Sequence, residues 1–136
     1  METLAAAEVG PDCGVLGDYR GKRRANGDDR FQVTLLGSED WQAATAEIGE
    51  PVDWTARRAN LLVEGVALPR CAGVRIGIGP DVLLETTMET DPCSRMDEAA
   101  PGLRAALIPD WRGGVRTRVL AGGIIEIGDE VRIEAA

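Results

Sequence analysis

The residues with the most chemical capacity lie in one stretch, Thr90-Asp91-Pro92-Cys93-Ser94-Arg95-Met96-Asp97. Cys93 can serve there as a sulfur carrier or a metal ligand, because a thiolate is both nucleophilic and a soft donor. An unperturbed cysteine has a pKa near ~8.5 and is only a few per cent thiolate at pH 7, and lowering that by about two units makes it mostly thiolate. The local pattern gives a reason for such a shift. An apolar strand-like run, Asp81 to Thr87, precedes Pro92, and a helix-like segment follows and closes at Pro109. A chain that breaks at proline and then turns helical leaves Cys93 at a helix N-terminus, where unpaired N–H groups and the macrodipole favour negative charge. Arg95 pushes the same way. Against this stands the plainer reading, that a lone cysteine is more often a small buried hydrophobe.

The chain contains no histidine. That removes Ser-His-Asp and Cys-His activation. It also removes most catalytic zinc sites, since Cys13, Cys71 and Cys93 show no CxxC pairing to replace imidazoles. Chemistry at Cys93 must run without a histidine base.

The elements that position these residues belong to one domain, 1–136, long enough to bury roughly two-thirds of its unfolded surface without staples. The apolar (44%) and charged (28%) fractions are those of an ordinary globule, and no apolar run approaches a membrane span. Met1-Glu2-Thr3-Leu4 lacks the basic and apolar regions of a signal peptide, so a cytoplasmic protein with free thiols is expected. A net charge of −8 argues against nucleic acid or an anionic membrane as partner. Lys22 is the only lysine, and the other cations are arginines, the side chain that grips phosphate in bidentate fashion.

Residues 1–30 read as loop-rich, with residues 1–15 irregular or atypical and four cations packed into Arg20 to Arg24. The alternation Phe31, Val33, Leu35 against Gln32, Thr34 reads as a strand. Ser38 is placed to cap a helix whose Trp41, Ala44, Thr45 and Ile48 share one face, and Gly49 stops it. Arg57-Arg58-Ala59-Asn60 leads into the apolar strand Leu61-Leu62-Val63. Two adjacent arginines ahead of a strand normally face solvent. In an extended chain Arg58 and Asn60 share a face and Arg57 takes the other, so the pair offers several donors toward a polar ring or phosphate. Short strands follow at 74–78, 82–87, 115–120, 124–127 and 131–133, separated by glycine turns. Pro101 to Pro109 forms a helical stretch with Leu103, Ala106 and Leu107 buried. The expectation is a mainly β, α+β protein, a barrel of mixed or antiparallel strands with two or three short helices and no doubly wound sheet.

In order, Gly17-Asp18, Gln32 to Leu36, Arg57 to Val66, Gly77 to Glu85, Asp91 to Met96, Asp110 to Val115 and Gly128 to Val131 resemble a MOSC domain, the module named for the C-terminus of molybdenum cofactor sulfurases. Arg-x-Asn followed by Pro-Cys-x-Arg is specific as a set and weak in its parts. The resemblance covers nearly the whole chain. It implies a β-barrel-like fold, a molybdenum cofactor bound at least in transit, and Cys93 as either a molybdenum ligand or a persulfide-bearing sulfur carrier. It also implies that Arg58 and Asn60 lie close to the cofactor. Arg57, from the same matching piece, joins the candidate cofactor-binding set, and Asp91, Arg95 and Arg20 are added on charge and neighbourhood. Where related sequences often carry a histidine in the Gly-Asp loop, this chain has Tyr19-Arg20.

Three functions follow from the resemblance. Cys93 carries sulfur or ligates molybdenum during cofactor handling, with a separate cysteine desulfurase as donor, since no pyridoxal-phosphate lysine or domain is present. Alternatively, stand-alone relatives imply a molybdenum-dependent reductase of N-hydroxylated compounds, fed by electron-transfer proteins because three scattered cysteines cannot hold an iron–sulfur cluster. The third reading is a non-catalytic binding module with a degenerate site.

Overall fold

A computed structural model describes residues 6–11, 14–15, 32–57 and 59–134. Nine strands are described, β1 (Ala6–Gly10), β2 (Gly14–Val15), β3 (Val33–Gly37), β4 (Leu61–Val63), β5 (Arg75–Ile78), β6 (Val82–Glu89), β7 (Val115–Ala121), β8 (Gly123–Glu126) and β9 (Val131–Glu134). They form a six-stranded sheet in the order β4-β3-β7-β6-β5-β9 and a three-stranded sheet in the order β2-β1-β8. Only β3 and β4 pair in parallel among these; the other ladders are antiparallel. The helices are α1 (Ser38–Ile48), α2 (Ser94–Ala99) and α3 (Leu103–Ala106), with 3-10 turns at Trp54–Arg57 and Pro109–Trp111. The fold is thus mainly β with short helices, and its larger sheet curls toward the smaller one like a barrel wall.

Two cores account for the arrangement. Val9 of β1 and Ile125 of β8 pack with Val33, Leu35, Ile76, Leu84, Val115 and Val119 of the large sheet, so the first core fills the space between the sheets. Leu36, Trp41, Ala44, Met96, Leu103 and Leu107 form the second, between β3 and the helices. Leu35 and Leu36 are adjacent and both fully buried, in different cores. Both faces of β3 are therefore covered, which is why its sequence runs Val33-Thr34-Leu35-Leu36 without a solvent-facing position.

Several local expectations need correction. Residues 1–30 are not all loop, nor are 1–15 irregular throughout: Ala6–Gly10 pairs with β8 and with β2. Ala6-Ala7-Glu8-Val9-Gly10 has one strong apolar residue, so its strand character comes from its partners. Helix α1 is capped at Gly37, not by the Ser38 side chain, which is already the first helical residue. The stretch before Pro109 is two helices of six and four residues, separated at Ala100 to Gly102, because Gly102 takes a left-handed φ of 88°. Between β7 and β8 the chain changes sheets at Gly122. A Cβ there would stand 2.5 Å from the Val9 carbonyl oxygen, so only glycine permits the crossing. Buried Gln32 bridges the same junction, donating from Nε2 to the Pro11 carbonyl and accepting at Oε1 from Val119 N–H at 2.9 Å. Among the described residues no helix is long and apolar enough to cross a membrane.

Candidate functional site

Strand β6 delivers the site. It stays paired with β7 as far as Glu89↔Val115, and Thr90 N–H then donates to the Gly114 carbonyl at 2.9 Å. Asp91 and Pro92 carry the chain away from the sheet, and Cys93 becomes the N-cap of α2 in an extended conformation (φ −120°, ψ 176°). Its backbone carbonyl accepts from Met96 N–H at 2.9 Å, while its side chain makes no capping bond. Met96, the buried residue of α2, anchors the helix in the second core. Cys93 itself is exposed and free, as is Cys71. Cys93 is not the small buried hydrophobe of the plainer reading.

Arg57 approaches the same loop from the 3-10 turn. Contrary to the expectation of a solvent-facing arginine, it is only 9% exposed. Trp54–Arg57 is coiled rather than extended, so the alternation assumed for Arg57, Arg58 and Asn60 does not apply to it. Arg57 Nε donates to the Gly113 carbonyl at 3.0 Å, and Nη2 donates to the Thr90 and Asp91 carbonyls at 2.7 and 3.2 Å. Burial pushes the Arg57 pKa down. The Cys93 charge pushes it back up, Arg116 lowers it further and Asp91 raises it. Arg57, Cys93, Asp91 and Arg116 thus form one electrostatic group.

The second wall is the Asp110-Trp111-Arg112-Gly113-Gly114 loop. Asp110 and Trp111 both hold left-handed φ, 55° and 54°, a conformation that costs non-glycine residues energy and persists only where the surroundings impose it. Arg112 Nη1 secures the loop, donating to the Ala106 carbonyl at 3.1 Å and pairing with Glu47 at 2.9 Å. The result brings Gly113 so close that a Cβ would sit 2.5 Å from the Thr90 carbonyl oxygen and 3.1 Å from Arg57 Nη2. Thr90 Oγ1 is buried at this junction without a hydrogen-bond partner among the described residues. Beside it Glu89 has its carboxyl pKa raised, by burial and then by the charge of Asp91.

The structure therefore brings Cys93, Arg57 and Asp91 together. Asp91 takes part through its backbone carbonyl, with its side chain exposed. Arg95 is exposed on α2 and has no ion pair among the described residues. Asn60 is half-buried, and its Oδ1 accepts from Thr34 N–H at 2.9 Å and Thr34 Oγ1 at 3.1 Å, so it braces β3 against β4. Arg58 and Arg20 lie outside the described residues, as do Tyr19 and Cys13. Sequence reasoning did not single out Arg116, which donates to Met88 Sδ at 3.5 Å. The signal available was its alternation in Val115-Arg116-Thr117-Arg118-Val119, which places it on the face opposite the core.

Comparisons with known proteins agree with this architecture. A YuaD protein structure from Bacillus subtilis is 20% identical with a TM-score of 0.81, over 99% of this chain and 87% of that one. YiiM from Geobacillus stearothermophilus is 23% identical with a TM-score of 0.66, over 79% of this chain and 56% of that one. YiiM from Escherichia coli is 13% identical with a TM-score of 0.70, over 96% of this chain and 63% of that one. At such identities the likeness is one of fold, and this chain spans 56% and 63% of the two YiiM chains. A search of curated protein sequences finds no match. The family model of the MOSC domain matches residues 22–132, which includes Asn60, Cys93 and the Asp110 to Gly114 loop. On that match, the chain belongs to the MOSC domain family, a family associated with the molybdenum cofactor.

Proposed function

We propose that this protein handles the molybdenum cofactor through the sulfur of Cys93, as a persulfide carrier or as a ligand to molybdenum. The observation that carries this reading is an exposed cysteine whose side chain is uncommitted, in a loop held by the buried guanidinium of Arg57, in a chain of the MOSC family. The donor chemistry fits. Molybdenum takes soft sulfur donors, and Cys93 offers one. No group of three His, Cys, Asp or Glu side chains is assembled among the described residues, and the protein donor on which this reading rests is the Cys93 sulfur. The unsatisfied Thr90 hydroxyl also supports a polar ligand at this loop, because a buried hydroxyl without a partner is costly.

When bound, the cofactor would supply redox chemistry or the acceptor for a transferred sulfur. The residues of this chain would hold it at Cys93 and set the charge around it. For sulfur delivery, the Cys93 thiolate attacks the outer sulfur of a desulfurase persulfide, a new S–S bond forms, and the donor cysteine leaves as a thiolate. That donor would be a separate protein. In the ligand role the same sulfur stays bound to the metal.

Purification from cells that make molybdopterin, followed by metal and pterin analysis, tests the reading together with mass spectrometry after incubation with a cysteine desulfurase and cysteine. Either stoichiometric molybdenum or one added sulfur on Cys93 is expected, each lost in Cys93→Ser. Stoichiometric metal selects the ligand role and favours the reductase function. Adducts confined to Cys71 or Cys13, with no metal, would exclude the proposal.

A further inference from the structure

We infer that Arg57 is the positioning residue of the Cys93 site: its guanidinium ties the Thr90 and Asp91 carbonyls to Gly113 and so fixes the loop that presents the sulfur, with a buried positive charge behind that loop. The inference rests on the reading of Cys93 as the working sulfur and adds how that sulfur is held. Arg57 entered as a candidate cofactor contact. Its surroundings assign it another task. At 9% exposure its head group has little surface to offer a ligand, and its bonds go to the backbone of two different loops.

The geometry requires an arginine. Nε points to Gly113 while Nη2 spans Thr90 and Asp91, and the rigid planar fork sets the distance between the loops. A lysine ammonium is one compact point and cannot reach all three carbonyls in that plane. Gly113 completes the clamp, since a side chain there would collide with the Thr90 carbonyl and press on Nη2. Among the described residues none of the Arg57 hydrogen bonds goes to a carboxylate. A buried cation needs opposite charge within reach. The groups that favour its charged form are Cys93, first, and Asp91. Both are exposed neighbours on the loop whose carbonyls Arg57 holds, so the guanidinium acts on the surroundings of that loop.

The test uses the full chain without cofactor, so it stands apart from any result on molybdenum. Alkylation with iodoacetate, an anion, is compared with alkylation by neutral iodoacetamide, read by peptide mass spectrometry at Cys93 with exposed Cys71 as internal reference. In Arg57→Gln the iodoacetate-to-iodoacetamide rate ratio at Cys93 falls about threefold or more at low salt, while the ratio at Cys71 stays put. A purely structural arginine would not change that ratio. In Arg57→Lys and in Gly113→Ala, amide exchange at Thr90, whose N–H bonds to the Gly114 carbonyl, becomes faster than in the parent. A folded Arg57→Gln with the parental ratio at Cys93 overturns the charge role. Parental Thr90 exchange in both other variants overturns the clamp, and this arm still decides if Arg57→Gln does not fold.

Discussion

Asn60 and Thr34 hold each other in both directions. The Asn60 side-chain oxygen accepts from the Thr34 N–H at 2.9 Å, and the Asn60 N–H donates back to Thr34 Oγ1 at 3.0 Å. The exchange starts the parallel pairing of β3 and β4 just before Leu35↔Leu61. Asn60→Ala strips the acceptor from a half-buried N–H and hydroxyl, so it should cost about 1–3 kcal/mol of stability, measured by chemical denaturation. A neutral outcome would return Asn60 to the list of residues whose role is to meet a ligand.

Cys93→Ser should leave the fold as stable as before, within about 0.5 kcal/mol, because the side chain is exposed and makes no capping bond. Serine is a preferred N-cap, so any shift should be upward. Thermal denaturation of the variant checks this, and a clear loss of stability would mean that the sulfur is packed.

Leu103 is fully buried in the second core, where α3 meets α1 and α2. Leu103→Ala should cost about 2–5 kcal/mol by denaturation, from lost burial and the cavity left behind. Helices of six and four residues have little stability of their own. The same variant should therefore speed amide exchange through residues 94–107 ahead of the sheets.

Glu39 accepts from the Gly65 N–H at 2.6 Å, and that bond, followed by one from its own backbone N–H, holds its carboxyl pKa below the ordinary 4.5. A carboxyl with a depressed folded pKa contributes stability at pH values above its unfolded pKa, and loses it as pH falls through the folded one. The stability difference between the parent and Glu39→Gln should then be constant near neutrality. It should start to shrink below about pH 4.5 and vanish at still lower pH, as followed by urea titrations across that range.

Much of the scaffold was legible because its signals are local. Trp41, Ala44 and Gly49 announce α1, and Leu61-Leu62-Val63 matches β4 residue for residue. Asp91-Pro92-Cys93 marks the step from strand to helix, and the structure makes it there. What stayed hidden depends on residues far apart. Arg57 is buried because its acceptors lie 33, 34 and 56 positions further along the chain, and nothing in Arg57-Arg58 reveals them. Residues 6–10 become a strand through pairing with residues 123–126. Left-handed Asp110 and Trp111 carry no glycine to advertise the turn.

That last-named pairing also sets the order of events when the chain is made. Ala6 meets Glu126, so the smaller sheet cannot close until residue 126 has left the ribosome. During translation β1 has to wait for this partner, and contacts of such large sequence separation form slowly. The helical core, built from residues 36–107, can condense first. The pairing of β1 with β8 would then act as a latch.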